Sequence, residues 1–394
     1  MGETGPKQRS LEPAAGATSL WDLALLFLKL GSIGFGGPAA HIALMEDEIV
    51  RRRHWMARDD FLDLLGATNL IPGPNSTEMA IHIGHRQRGW PGLIVAGVSF
   101  ILPAALIVLV FAWVYVRYGS LPQVAGVLYG VKPVIIAIVL QALWSLGRTA
   151  IKNVFLAIIG LAGIVLAFFG IHELLVLLGG GLIVGFGQLI VRQIKSGKAS
   201  MTFVSPIILF LQSTAATTTT FGLLPLFLFF LKVGAVLYGS GYVLLAFIRA
   251  DLVERWHWLT ESQLLDAIAV GQVTPGPVFT TATFIGYLLG GLSGAIAATA
   301  GIFLPAFLFV AASGPLVPRI RRSPTAGAFL DGVNAASLAL MFVVTYQLGR
   351  AAVIDVPTLV LALVSAIALF RFRLNSAWLI LGGAIVGLVL SAAR

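Results

Sequence analysis

The chain contains the same hydrophobic pattern twice, with the two copies offset by about 202 residues. The segment Phe27–Gly31 returns almost unchanged as Phe230–Gly234, and Pro72-Gly73-Pro74 returns as Pro275-Gly276-Pro277. Two related hydrophobic bundles in one chain are typical of transporters, in which the copies pack about a pseudo-twofold axis. We therefore predict a disordered N-terminal tail, a first membrane repeat, a linker and a second membrane repeat, at residues 1–20, 21–194, 195–223 and 224–394.

Composition places both copies in a bilayer. Hydrophobic residues make up 58% of the chain and charged residues only 11%, and the apolar runs 90–116, 154–171 and 174–191 are long enough to cross a membrane as helices. The predicted fold class is an all-α integral membrane protein. The chain has no cysteine, which excludes disulfides, thiolate metal sites and cysteine nucleophiles.

The net charge of +9 comes mostly from Lys and Arg in short connections, which is the pattern of cytoplasmic loops and not of a nucleic-acid surface. In the first copy the links at 86–88, 148–152 and 192–198 are basic. In the second copy the basic links are instead 319–322 and 371–373. If all these links face the cytoplasm, the copies are inverted relative to each other. We predict about ten transmembrane helices, five in each copy, plus one re-entrant Pro-Gly-Pro hairpin in each copy.

The two Pro-Gly-Pro units should each end one helix and begin another, because proline fits the first position of a helix but not its interior. The free N–H groups at the start of the following helix carry partial positive charge and suit an anion. Simple packing kinks are the alternative. The substrate-binding residues predicted at the two breaks are Gly73, Asn75, Ser76, Thr77, Gly276, Val278, Thr280 and Thr281.

Lys29 and Lys232 occupy matching positions inside apolar segments, where an ionised lysine is costly and is usually paired or functional. The glycine-rich break that includes Gly36 and Gly37 follows the first lysine. We predict that both lysines and both glycines line the anion site. The alternative is that the lysines extend to the membrane interface and bind nothing.

Three ionisable residues follow the first break and are predicted to couple transport to protons or ions: Glu78, His82 and His85. Thr281 replaces Glu78 in the second copy, so the carboxylate breaks the symmetry of the duplication. Histidine can titrate near neutral pH. The alternatives are that Glu78 pairs with Lys29 and that neighbouring groups satisfy both histidines.

The phrases Phe35–Ile42, Ile71–Glu78 and Val273–Pro277 resemble the chromate ion transporter family in its long, two-domain form. The resemblance implies a multi-pass carrier in the bacterial inner membrane that exports chromate, an analogue of sulfate, and so confers chromate resistance. It also implies that Phe35-Gly36-Gly37-Pro38 and the two Pro-Gly-Pro breaks are signature positions. Many members place glutamate directly after the first break, where this chain has Asn75.

The predicted function is secondary active transport of tetrahedral divalent oxyanions, most directly chromate efflux and also sulfate, coupled to protons or to anion exchange. A passive oxyanion channel and a membrane-embedded phosphoryl-transfer enzyme are the alternatives. An enzyme would need an acidic metal cluster or a paired nucleophile and base. We therefore expect no enzymatic activity, metal or cofactor. Two copies could associate as a homodimer within the lipid bilayer.

Overall fold

The computed structural model describes residues 18–35, 37–119, 121–195, 220–238, 241–321, 323–372 and 374–392. These residues form helices and short connections, with no strand among them. Five of the helices are long and apolar enough to cross a membrane, and four shorter helices are also apolar. A helical membrane protein is therefore the observed class. Most of the predicted tail, most of the predicted linker and Gly36 lie outside the described residues.

The first half begins with α1 (Leu20–Ile33) and α2 (Gly37–Glu46), followed by a π-helical segment (Asp47–Arg52), α3 (Arg58–Thr68) and α4 (Asn75–Tyr118). It continues with α5 (Pro122–Ala150), α6 (Val154–Phe168) and α7 (Glu173–Lys195). The second half has α8 (Leu223–Val236), α9 (Leu244–Ile248), a second π-helical segment (Arg249–Arg255) and α10 (Glu261–Val273). It ends with α11 (Thr281–Arg321), α12 (Pro324–Ala352), α13 (Val356–Phe372) and α14 (Ser376–Ala392).

The two halves match in local detail as well as in helix order. Capping is a detail that they do not share: capping boxes begin α1, at Ser19, and α10, at Thr260, whereas the equivalent helices α8 and α3 have no side-chain cap. Pro122 and Pro324 stand in the first turn of the equivalent helices α5 and α12, where a missing N–H costs nothing.

Both α4 and α11 fold back on themselves at a glycine. The bend in α4 is at Gly89 (φ 61°) and that in α11 is at Gly291 (φ 60°), a conformation that glycine adopts without strain. Beyond the first bend, the returning limb packs so closely that a Cβ on Gly84 would lie 2.5 Å from the Ala96 Cβ. Each helix is therefore a short limb, 75–88 or 281–290, packed against a long one.

The equivalent helices α5 and α12 pack against each other in opposite directions. A Cβ at Gly147 would lie 3.6 Å from Leu338 Cδ2, and a Cβ at Gly349 would lie 3.7 Å from Ile136 Cγ2. Gly147 is the equivalent of Gly349, and Ile136 is the equivalent of Leu338. The contacts therefore run from Ile136 to Gly147 along α5 and from Gly349 back to Leu338 along α12, so these two helices run antiparallel.

Glycines let the remaining helices exchange partners between the halves. Helix α5 packs on α13 and α14, whereas α12 packs on α6 and α7. A Cβ at Gly383 would lie 2.8 Å from the Gly130 carbonyl oxygen, and a Cβ at Gly180 would lie 3.0 Å from the Gly332 carbonyl oxygen. Small residues at such crossings allow backbones to approach closely, which is how helices associate in lipid. The two halves are therefore interlocked.

Alanine at Gly383 should destabilise the protein, because its Cβ would meet Val134 and the backbone of α5 at less than 3 Å. Overpacking of this kind costs about 1 to 3 kcal/mol. Gly382→Ala is the matched control on the same helix, since that position has no neighbour within 4 Å. Thermal unfolding in detergent micelles measures both variants. Equal melting temperatures for the two would contradict the close crossing.

Candidate functional site

A cavity of about 650 Å³ lies where the two Pro-Gly-Pro loops meet. Both halves contribute to its wall, which includes His41, Asn75 and Ser76 from the first half and Gln272 and Val278 from the second. Gln141 on α5 closes another side. A smaller cavity of about 240 Å³ shares Asn75 and Leu146 with it. The described residues that line the larger cavity include no carboxylate, lysine or arginine.

The loops are held by hydrogen bonds that cross between the halves. The Gly73 N–H donates to the Leu237 carbonyl at 2.8 Å, and the Gly276 N–H donates to the Gly34 carbonyl at 2.8 Å. Both glycines have positive φ, 137° at Gly73 and 93° at Gly276. Because each acceptor lies in the helix break after α8 or α1, each loop depends on the opposite half of the chain.

The helix starts behind the loops have no side-chain cap. Pro74 and Pro277 precede the helical turns, and neither provides a capping side chain. Glu78 is the first residue of its helix whose N–H bonds back, to the Pro74 carbonyl at 2.9 Å. The N–H groups of the preceding three residues therefore have no acceptor within the helix. Anion binding at the first break stays a prediction.

The hydroxyl groups at the two breaks differ. Ser76 is buried in the cavity wall, and the Thr77 hydroxyl is buried with no hydrogen-bond partner among the described residues. In contrast, the Thr280 hydroxyl donates to the Pro277 carbonyl and the Thr281 hydroxyl to the Val278 carbonyl, each at 2.8 Å. The hydroxyl hydrogens of the second break are therefore already used within the loop.

The two predicted lysines lie outside the lining of this cavity and are ion-paired. Lys29 Nζ is 2.6 Å from Glu48 Oε1, and Lys232 forms the equivalent pair with Asp251. Hydrogen bonding from Lys29 lowers the pKa of Glu48. The sequence contained a signal for these partners, because Glu48 and Asp251 are separated by the same number of residues as Lys29 and Lys232. Anion binding by Lys29 and Lys232 stays a prediction.

Glu78 lies directly beneath the first loop, where a Cβ on Gly73 would collide with its carboxylate. The side chain has no solvent exposure, and neither carboxylate oxygen has a hydrogen-bond partner within the described residues. His82, one turn further along, is also buried. His85 is half-buried and packs edge-on against Trp90. The structure thus brings Glu78 to the loop and leaves both histidines outside the cavity lining.

The structure draws attention to two residues outside the predicted set, one that lines the cavity and one that joins the two halves. His41 is buried in the cavity wall, and its Nε2 lies 2.9 Å from the Gly34 carbonyl oxygen. Lys132 forms a buried ion pair with Asp266 at 3.1 Å, which joins α5 to α10 of the other half. The equivalent of His41 is Leu244 and that of Lys132 is Asn334, so a search for charges that break the duplication could have found both.

The model of the family described as "Chromate transporter" matches residues 21–186 and again residues 224–388. The chain belongs to the chromate transporter family. It is 34% identical to the "Chromate transport protein" of Cupriavidus metallidurans, over 94% of this chain and 93% of that protein. It is 31% identical to the "Probable chromate transport protein" of Synechococcus elongatus, over 95% of this chain and 96% of that protein.

A third member of the chromate transporter family, the "Chromate transport protein" of Pseudomonas aeruginosa, is 30% identical over 84% of this chain and 82% of its own length. No solved structure shows a significant match to the chain. The family and the apolar helices together identify a multi-pass membrane transporter with a role in chromate transport.

Gly276→Ala should abolish chromate uptake by membrane vesicles, because its Cβ would lie 2.7 Å from the Ala104 Cβ and 2.9 Å from the Gly31 carbonyl oxygen. Gly291→Ala is the control. That glycine also has positive φ but has open space around it, so alanine there costs only the backbone strain of about 1 to 2 kcal/mol. Asn75→Ala, which leaves the loop backbone intact, should be milder than Gly276→Ala. Full uptake by the Gly276→Ala protein would contradict a role in transport for the Pro-Gly-Pro loops.

Proposed function

We propose that the chain is a secondary active transporter of tetrahedral divalent oxyanions that exports chromate across the bacterial inner membrane and also accepts sulfate. The observation that carries this proposal is the cavity between the two Pro-Gly-Pro loops. At this cavity the uncapped start of α4 has N–H groups without an acceptor in the helix. Such a start attracts anions through its N–H groups and its dipole. The substrate residues are those predicted at the two breaks.

A wall of neutral donors suits a transported anion. The lining provides backbone N–H groups, the Ser76 hydroxyl and the amides of Asn75, Gln141 and Gln272. A carboxylate in the lining would repel a dianion, and the lining has none among the described residues. At about 650 Å³ the cavity is also large enough for an oxyanion together with several waters, each of which occupies about 30 Å³ in the liquid.

Alternating access would follow from an inverted arrangement of the halves in the membrane. The antiparallel packing of α5 and α12 supports this arrangement, because both are among the helices that are long and apolar enough to cross a bilayer. The exchange of basic links between the copies supports it independently. About ten transmembrane helices are proposed, and the segments around the two breaks enter and leave on one side of the membrane.

Glu78 is the proposed coupling group. Its carboxylate is buried under the loop that would hold the anion, and no cation pairs with it among the described residues. An unpaired carboxylate at such a place is strongly disfavoured in its charged form. Proton exchange at Glu78 could therefore accompany the movement of the loop, with His82 and His85 on the same helix as further proton carriers.

The paired lysines have a conditional role in this proposal. Lys29 and Lys232 could bind the substrate only in a state in which they leave Glu48 and Asp251. Because Glu48 and Asp251 are buried, such a state would leave two buried carboxylates without their lysines, and the new contact to the dianion would have to offset that cost.

Transport in inside-out membrane vesicles tests the function. Chromate and radiolabelled sulfate should accumulate when a proton gradient or a counter-anion gradient is imposed, and the Glu78→Gln protein should lose the dependence on the proton gradient while it still binds anion. Equilibration without accumulation under every gradient would identify a passive channel. No uptake of either anion by the unmodified protein would refute the function.

The inverted arrangement predicts that equivalent positions label from opposite sides. Phe169 directly follows α6 and is 82% exposed. Its equivalent, Arg371, lies near the end of α13 and is also exposed. Because the chain has no native cysteine, Phe169→Cys and Arg371→Cys each give a single site for an impermeant thiol reagent. We expect Arg371→Cys to react from the cytoplasm and Phe169→Cys from the other side. Reaction from one side in both variants would mean that the halves are parallel.

A further inference from the structure

His41 lies in the wall of the cavity and is almost completely buried, with 2% exposure. Its ring packs edge-on against Phe100, with 5.5 Å between ring centroids. Its Nε2 is 2.9 Å from the Gly34 carbonyl oxygen, which also accepts the hydrogen bond from the Gly276 loop. The imidazole is thus fixed at the junction between the first helix break and the loop of the opposite half.

This hydrogen bond determines which nitrogen of the neutral ring carries a hydrogen. A carbonyl oxygen can only accept, so Nε2 must carry a hydrogen. In the neutral ring Nδ1 is then a bare acceptor, and it is buried with no partner among the described residues. In the protonated ring Nδ1 becomes a donor with a positive charge. A buried polar atom without a partner is unfavourable, and an anion would supply a partner to the protonated form.

His41 is also the one titratable side chain among the described residues that line the cavity. The duplication does not explain it, because the equivalent residue in the second half is Leu244. The helices and the π-helical segment packed around His41 carry other ionisable groups, but these groups do not line the cavity. Lys29 and Glu48 neutralise each other, while Glu78 and His82 lie outside the cavity lining.

We propose that His41 is a proton-dependent ligand of the transported oxyanion, which donates a hydrogen bond from Nδ1 to the anion when the imidazole is protonated. The proposal rests on the proposed function, since it names a ligand within the same site. It adds a positive charge to a cavity whose other donors are neutral. The charge can be withdrawn by loss of one proton, which would release the dianion without any large movement.

Proton and anion binding are then thermodynamically linked. A dianion favours the protonated ring, and protonation favours the dianion by the same factor. Above the pH at which the free ring loses its proton, affinity for the anion should fall by up to about tenfold for each unit of pH. Sulfate is the appropriate probe, because it remains a dianion near neutral pH whereas chromate takes up a proton there.

The experiment measures binding of radiolabelled sulfate to the purified full-length protein from about pH 5 to about pH 8, a range that extends below the ordinary pKa of histidine because burial lowers the pKa of His41. The unmodified protein should bind more weakly as pH rises. His41→Gln retains a donor for the Gly34 carbonyl but cannot be protonated, so its affinity should be independent of pH and close to the weak limit of the unmodified protein. The control is His257→Asn, a change at an exposed histidine far along the chain, which should keep the slope.

A wild-type slope in the His41→Gln protein would overturn the proposal. So would binding by the unmodified protein that does not change with pH. If the variant fails to fold, a measurement of proton uptake decides. When sulfate is added to the unmodified protein near neutral pH, the protein should take up protons as it binds the anion. No uptake would overturn the proposal. Absence of binding of both sulfate and chromate at every pH would instead refute the transporter site itself, which separates the two failures.

Discussion

The hydrogen bonds that tie each Pro-Gly-Pro loop to the helix break of the opposite half are the interaction on which the site depends. Each loop glycine donates to a carbonyl in the helix break of the opposite half, at Leu237 or at Gly34. A backbone bond inside a membrane protein is expensive to leave unmade, since little water can replace it. Each loop is therefore held by the opposite half, and neither helix start could keep its position if the other half moved away as a rigid body.

Glycine allows the chain to form this arrangement. Gly73 and Gly276 adopt positive φ beside crowded neighbours, while Gly130 and Gly383 let α5 and α14 approach at backbone distance. Charged and neutral side chains lie in different parts of the molecule. Lysines and arginines pair with carboxylates in and near the π-helical segments, as Arg52 does with Glu48 and Arg255 with Asp251. The cavity keeps neutral donors and one histidine.

Much of this organisation could be predicted from the sequence, because duplication and hydropathy are properties of order along the chain. The helical membrane class and the family are confirmed. Each Pro-Gly-Pro unit separates two helices, α3 from α4 and α10 from α11, and the re-entrant hairpins stay a prediction. Side-chain partners were harder, because they depend on distances between remote residues. Nothing in the periodicity shows that the Thr280 hydroxyl bonds within its own loop. The offset that Glu48 and Asp251 share with the two lysines hinted at the ion pairs, but it did not show that Lys29 lies outside the cavity lining. His41 belonged to a recognised motif but had no partner that spacing could suggest.

The interlocking of the halves has a consequence for how the chain is made. Helix α5 leaves the ribosome before α13 and α14, which are its packing partners, have been synthesised. At about 5 to 20 residues per second, the delay is roughly 10 to 50 seconds. During that time the glycine-lined face of α5 has only lipid or the insertion machinery beside it. Biogenesis is therefore a two-stage process, in which the first half waits in the bilayer and final packing follows completion of the chain.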